Sequence, residues 1–275
     1  MSPFRGSVPI TDEWKHFGFE HADGIATVTF DRPDKLNALT FEAYADLRDL
    51  LTELPQRGDT RALVLRGEGR AFCSGGDVNE IIGETLKMDA DRLLEFTKMT
   101  GAVIKAMREC PIPIIVALHG MAAGAGSVIA LAADFRIASR SAKFAFLFTK
   151  VGLSGADMGS AYLLPRLVGL GRATQLLMLG DTINAEKAER YGLVSELVED
   201  DELEEAVAAL ARRLATGPFQ GYAQTKELLT RELDMSLSGA LELEAVTQAL
   251  LMKTADYAEF HAAFNAKRPP QWQGR

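Results

Sequence analysis

The chain has 275 residues, 47% of them hydrophobic and 25% charged, with a formal net charge of −8. That length and balance describe a soluble globular protein with a substantial core, as one large domain or two small ones. The acidic surplus argues against a nucleic-acid surface and against an anionic membrane, so an anionic ligand needs a local basic pocket.

In chain order, residues 1–12 read as irregular. Segments 17–20 and 25–30 alternate in polarity and predict a hairpin around Asp23-Gly24. A loop follows over 31–39, and Thr40 caps a helix to Leu54 with Ala43, Leu47, Leu50, Leu51 and Leu54 on one face. The buried strand 62–66 stops at Gly67, and Ala71-Phe72-Cys73-Ser74-Gly75-Gly76-Asp77 turns the chain into a helix at 78–82. The paired glycines remove the Cβ atoms that keep a ligand off the main chain, so the corner offers bare N–H groups.

A long helix over 89–108 is stopped by Pro111-Ile112-Pro113, and strand 114–118 is apolar on both faces, as in a covered sheet. The stretch Leu118-His119-Gly120-Met121-Ala122-Ala123-Gly124-Ala125-Gly126 then repeats the corner's chemistry ahead of a buried helix at 128–133. One Gly-rich turn after a strand is commonly structural. Two suggest a pair of N–H donors converging on one carbonyl oxygen.

Strands at 135–138 and 143–146, a loop at 152–157, helices at 158–168, 173–179 and 185–191 and a last strand at 193–198 complete this half. From Asp201 the pattern is helical, over 202–214, 219–231, 237–252 and 256–264. Strands with crossover helices followed by helices alone imply an α/β core with a helical extension, divided near Asp200.

Cys73 and Cys110 give no disulfide framework, which fits a reducing cytoplasm. Cys73 has no histidine near it in sequence and reads as a small buried thiol rather than a nucleophile. The N-terminus lacks an apolar signal core and no stretch approaches the ~18 apolar residues of a membrane span. His16, His21, His119 and His261 lack metal-ligand spacing, so no metal is expected.

The corner at 71–77 and the loop at 118–126 together resemble the crotonase superfamily, also called the enoyl-CoA hydratase/isomerase family, from about Gly18 to the C-terminus. The resemblance implies an α/β, crotonase-like β-β-α spiral core over 1–200 that binds acyl-CoA. It also implies a helical C-terminal oligomerisation region over 201–275 that builds a homotrimer or a dimer of trimers. The implied substrate is an acyl-CoA thioester, with coenzyme A as part of it and no separate cofactor. Gly76 and Ala125 match the positions whose N–H groups hold the thioester oxygen. Enolates and tetrahedral adducts place negative charge there, which such donors stabilise. Lys35-Leu36-Asn37-Ala38-Leu39 is similar to the stretch that lines the adenine pocket, which makes Lys35, Leu36 and Ala38 candidate contacts of CoA, and the resemblance adds Ala71 at the start of the corner. Phe264 and Lys267 fall in a tail similar to the phrase whose lysine reaches a CoA phosphate, often from a neighbouring subunit. Without the resemblance, Lys35, Lys267 and Arg268 read as a solvated basic surface.

The chain departs from that pattern where the family's hydratases carry two glutamates. Val128 and Phe148 stand there and cannot move a proton, and with Phe146 they imply a greasy acyl pocket. Asp157, counted back from Leu164-Pro165-Arg166, matches the catalytic Asp of dienoyl-CoA isomerases and the nucleophilic Asp of 4-chlorobenzoyl-CoA dehalogenases. The dehalogenase's partner histidine is missing from 89–108. Glu80 is a second candidate acid, at a spacing from Gly76 that more often faces solvent. Ahead of Met158, Asp157 also reads as a helix N-cap with a low pKa. These residues imply a hydratase/isomerase-type enzyme with Asp157 as base. The alternatives are a CoA-ester or β-diketone C–C hydrolase, or an idle CoA-binding scaffold.

Overall fold

Polarity alternation builds the edge of the fold. In the computed structural model, which describes residues 13–274, strand β1 (Gly18–Ala22) pairs antiparallel with β2 (Ile25–Phe30). Asp23 and Gly24 between them both take positive φ, as a two-residue hairpin requires. The irregular segment expected at 1–12 lies outside the described residues. Helix α1 (Phe41–Arg57) is capped by Thr40, whose Oγ1 accepts from the Ala43 N–H at 3.1 Å. It runs through Pro55, past the expected end at Leu54. Proline forfeits one helix bond and crowds a carbonyl, but burial of Leu47, Leu50, Leu51 and Leu54 holds that last turn in place.

The chain then repeats one unit: a strand in a large sheet, an extended segment in a second layer, and a helix. The first turn is β3 (Ala62–Gly67), the corner, a π-helical turn at Val78–Ile82, α2 (Gly83–Thr85) and α3 (Ala90–Glu109). The second is β4 (Ile114–Leu118), β5 (Met121–Ala123) and α4 (Ala125–Ala132), and the third is β6 (Phe135–Ser139), β7 (Lys143–Ala145), α5 (Ser160–Val168) and α6 (Leu170–Leu179). Strand β8 (Ile183–Asn184), α7 (Ala185–Tyr191) and β9 (Glu196–Val198) close it. The large sheet runs β1-β2-β3-β4-β6-β9 and the small one β5-β7-β8, while Cys73 bridges to Ala122 and so carries the corner into the small sheet's layer. This is the expected β-β-α spiral. Strand β5 falls where a loop was expected, and β8 was not expected at all. Segments of three and two residues are too short to show a period of two.

Strand β4 is buried along its whole length because both faces of the sheet are covered. Leu63, Leu65, Ile114 and Val116 face the main core. Ala62, Val64, Ile115 and Ala117 face α8 (Leu203–Ala215), through Leu203, Val207, Ala211 and Leu214. Helices α9 (Phe219–Arg231), α10 (Leu237–Leu251) and α11 (Ala255–Asn265) follow. Buried Lys226 fastens α9 to the core, donating to the Ile112 carbonyl at 2.9 Å and pairing with Asp134 at 2.8 Å. Asp134 also holds Arg108 at 3.1 Å. Among the described residues, no helix is long and apolar enough to cross a membrane.

A Cβ on Gly126 would lie 2.2 Å from the Cys73 carbonyl oxygen and 2.9 Å from the Cys73 Cβ. Both neighbours are set by sheet hydrogen bonds and cannot retreat. Gly126→Ala is expected to lose about 3 kcal/mol in urea unfolding. A loss within about 0.5 kcal/mol would mean that the two loops can part.

Candidate active site

Strand β3 delivers the chain to the corner, which backbone hydrogen bonds fasten on two sides. Toward the second Gly-rich loop, Phe72 and Cys73 donate to the His119 and Met121 carbonyls at 2.9 and 3.1 Å, and Ala123 donates back to Cys73 at 2.9 Å. Toward residues 36–39, Leu39 donates to the Gly75 carbonyl at 2.7 Å, Asp77 to Leu39 at 2.9 Å and Ser74 to Leu36 at 2.9 Å. Gly75 has φ 99°, and a Cβ there would sit 2.9 Å from the Ala123 carbonyl oxygen and 3.3 Å from the Ala125 nitrogen. Glycine is required here on both counts. The two Gly-rich loops thus meet backbone to backbone.

Gly76 follows directly, and Ala125 is the first residue of α4, which has no capping side chain. Among the described residues, neither the Gly76 nor the Ala125 N–H donates to a protein acceptor. The Ala125 N–H is one of the orphan donors of a first helical turn, with the helix's positive end behind it. Cys73 beside them is fully buried, and burial pushes its thiol up to about 12, so it stays protonated and inert.

Asp157 overturns its expected role as a cap. Helix α5 begins at Ser160 rather than Met158, after Met158 and Gly159 at φ 50° and 85°. Two left-handed residues keep the carboxylate from the first-turn N–H groups, and the side chain accepts instead from the adjacent Met158 N–H at 2.8 Å. The low pKa expected of a cap is overturned with it. Asp157 is half-buried, and no cation among the described residues pairs with it. Burial raises its pKa above the ordinary 3.8, opposed by the Met158 N–H.

The carboxylates nearer the corner are engaged. Glu80 accepts the Phe41 N–H at 3.0 Å and so holds the first turn of α1. Asp77 accepts the Asn79 and Glu80 N–H groups at 3.1 and 3.2 Å and pairs with Arg32 at 2.9 Å. The Glu80 N–H first, then Arg32, hold its carboxyl below the ordinary range. Val128, Phe146 and Phe148 belong to the hydrophobic core. Of these three carboxylates, Asp157 alone carries no cap or ion pair.

Sequence reasoning passed over Tyr44. It lies on the inner face of α1, 3% exposed, edge-on to Phe96 at 6.4 Å. Its hydroxyl oxygen is 3.5 Å from where a Cβ on Gly76 would lie. Burial, then the neighbouring Cys73 and Asp157, raise its pKa, so the Gly76 corner and Asp157 share its surroundings. The available signal was a polar-tipped aromatic on the face that carries Leu47 and Leu51.

The expected CoA contacts fall in two groups. Lys35 is exposed at the end of a 3-10 turn, Pro33–Lys35, and Leu36 and Asn37 take left-handed φ of 52° and 58°. Such angles cost about 1–3 kcal/mol at a residue like leucine. The Asn37 amide offsets this by donating to the Glu68 and Ala71 carbonyls at 2.9 and 2.7 Å. Arg32 donates to the Ala38 carbonyl at 2.6 Å, so Arg32 and Asn37 fix the segment against the corner. Ala38 and Ala71 are buried in this seam. The second group stands apart. Phe264 is 72% exposed, Lys267 is exposed at φ 52°, and Arg268 is paired with Glu259 on the preceding helix at 2.6 Å. No hydrogen bond or ion pair among the described residues joins this tail to the Lys35 segment.

The enoyl-CoA hydratase/isomerase profile matches residues 20–275. The chain belongs to the enoyl-CoA hydratase/isomerase family. It is 37% identical over 252 residues to 1,2-epoxyphenylacetyl-CoA isomerase of Escherichia coli K12, spanning 92% of this chain and 96% of that one. To a candidate enoyl-CoA hydratase of Rhodobacter capsulatus it is 40% identical over 257 residues, spanning 94% and 97%. A solved structure of a candidate enoyl-CoA hydratase from Streptomyces coelicolor A3(2) superimposes with a TM-score of 0.97 at 69% identity, covering 100% of both chains. The spiral is thus the fold shared with solved members of this family.

Proposed function

We propose that this family member isomerises enoyl-CoA thioesters with Asp157 as its single base and the Gly76 and Ala125 N–H groups as its oxyanion hole. The family places the chain among acyl-CoA-processing enzymes of the hydratase/isomerase type. The observation that carries the finer reading is Asp157. It is half-buried, unpaired with any cation among the described residues and close enough to act on Tyr44 beside Gly76, while Val128 and Phe148 replace the two acids that water addition needs. In this reading the carboxylate takes a proton from C2 of a 3-enoyl thioester. The charge spreads onto the thioester oxygen at Gly76 and Ala125, and the same carboxyl returns the proton to C4. A raised pKa makes Asp157 a stronger base for that transfer. The 37% identity to an isomerase supports the choice.

The test incubates pure protein with a 3-enoyl-CoA and with crotonyl-CoA, followed by mass spectrometry. The expected result is conversion of the first to its 2-enoyl isomer at unchanged mass. Gain of water by crotonyl-CoA overturns the reading. Cleavage of a β-diketone thioester would instead make it a hydrolase, and binding without turnover a scaffold.

Coenzyme A would enter as part of the substrate, along Lys35, Leu36, Ala38 and Ala71, with Phe264 and Lys267 contributed by a neighbour. Exposed Leu237, Leu250 and Phe264, at 75%, 67% and 72%, support burial of the helices in 201–275 against other subunits of a trimer or dimer of trimers. Two unpaired, buried cysteines fit a cytoplasmic setting. Lys267→Ala is expected to weaken binding of CoA thioesters more than of pantetheine thioesters, since only the former carry the nucleotide phosphates. Equal losses on both would leave Lys267 as surface charge.

A further inference from the structure

Gly76 poses a question that the oxyanion hole leaves open. Its φ is not left-handed, so the backbone does not demand glycine. What crowds the position is contact, because a Cβ would meet Ile81 at 3.3 Å and the Tyr44 hydroxyl at 3.5 Å. Tyr44 reaches this point from α1, with its ring buried and braced edge-on by Phe96. Among the described residues its hydroxyl makes no hydrogen bond to the protein, although it is not one of the sealed polar atoms left unpaired. A buried phenol normally finds a partner. This one sits beside Gly76, the residue whose N–H is assigned to the substrate's oxygen, with no partner among the described residues.

We propose that Tyr44 is a third hydrogen-bond donor of the active site, its hydroxyl directed at the thioester oxygen that the Gly76 N–H holds. This rests on the reading of Gly76 as a contact of that oxygen. The phenol is suited to the task, since burial first, and then the charge of the Asp157 carboxylate, disfavour its ionised form. It therefore keeps its proton at neutral pH, where Asp157 can act as a base. Enolate formation moves charge onto the oxygen, so the bond strengthens in the transition state and raises kcat more than it lowers KM. No bond to the hydroxyl forms or breaks covalently.

The test uses the full chain and hexadienoyl-CoA, whose ultraviolet band moves to longer wavelength as the thioester carbonyl is polarised. The parent is expected to shift the band on binding, and Tyr44→Phe, which keeps the ring, to bind with a smaller shift. On a 3-enoyl-CoA the same variant is expected to lose about a hundredfold in kcat with KM little changed. If Tyr44→Phe fails to fold, 3-fluorotyrosine at position 44 keeps the shape and sharpens the donor, and is expected to widen the shift. An unchanged band in either variant, while Gly76→Pro abolishes the shift, overturns the Tyr44 assignment and leaves the Gly76 reading standing. Loss of turnover with an unchanged band makes Tyr44 a positioning residue of Asp157 and equally overturns it. No shift in the parent overturns both readings together.

Discussion

Gly76→Pro is expected to abolish turnover in a protein that remains folded. Proline deletes the N–H without breaking a hydrogen bond of the fold, since that N–H bonds no protein acceptor among the described residues. Loss of one preorganised donor costs about 2.7–4 kcal/mol in the barrier, or roughly a hundredfold to a thousandfold in rate. The added ring carbons are the confounding change, because the first of them, a Cβ at 76, lies 3.3 Å from Ile81. Gly76→Ala adds the same carbon and keeps the donor, and is expected to retain most activity. Thermal melts of the three proteins, read beside their rates, separate the effects. A folded proline variant that turns over normally would remove Gly76 from the mechanism, whereas equal losses in both variants would assign the effect to packing.

Asp157→Asn is expected to cost at least about a hundredfold in turnover, a typical share for a general base, with no loss of stability. The stability half follows from the structure. Asparagine can still accept the Met158 N–H that Asp157 accepts at 2.8 Å. The native pKa is raised by burial, so the native state binds this proton more tightly than the unfolded chain does. Stability therefore falls as pH rises from the ordinary 3.8 through the raised native value. At neutral pH the parent bears that penalty and the asparagine variant does not. Unfolding by urea is expected to place the variant within about 1 kcal/mol of the parent, on its more stable side. The rate profile moves the opposite way to parent stability. Activity requires the ionised base and falls as pH drops through a value above 3.8. An acid limb at or below that ordinary value would indicate a well-solvated Asp157, and full activity in a folded asparagine variant would exclude it as the base.

Much of this protein is determined within short stretches of its sequence. The glycine pairs at 75–76 and 124–126, the apolar run of β4 and the cap Thr40 are each legible in a few consecutive residues, although what crowds Gly75 and Gly126 lies across the two loops. They suffice for two strand-to-helix corners, a covered sheet and the family resemblance. The hydrophobic residues at 128 and 148 were equally plain, because a valine or phenylalanine cannot transfer a proton in any environment. The ionisation of Asp157 belongs to the tertiary structure. Local spacing predicts a cap with a low pKa, but left-handed Met158 and Gly159 start the helix two residues later, and burial raises the pKa instead. Glu80 could be retired as an acid only once α1 had folded back to place the Phe41 N–H against it. Tyr44 gained its place by the same packing, which carries a side chain of α1 to the corner after β3. A pKa and an unpaired hydroxyl depend on what packing brings within a few ångströms, and those neighbours come from distant parts of the chain.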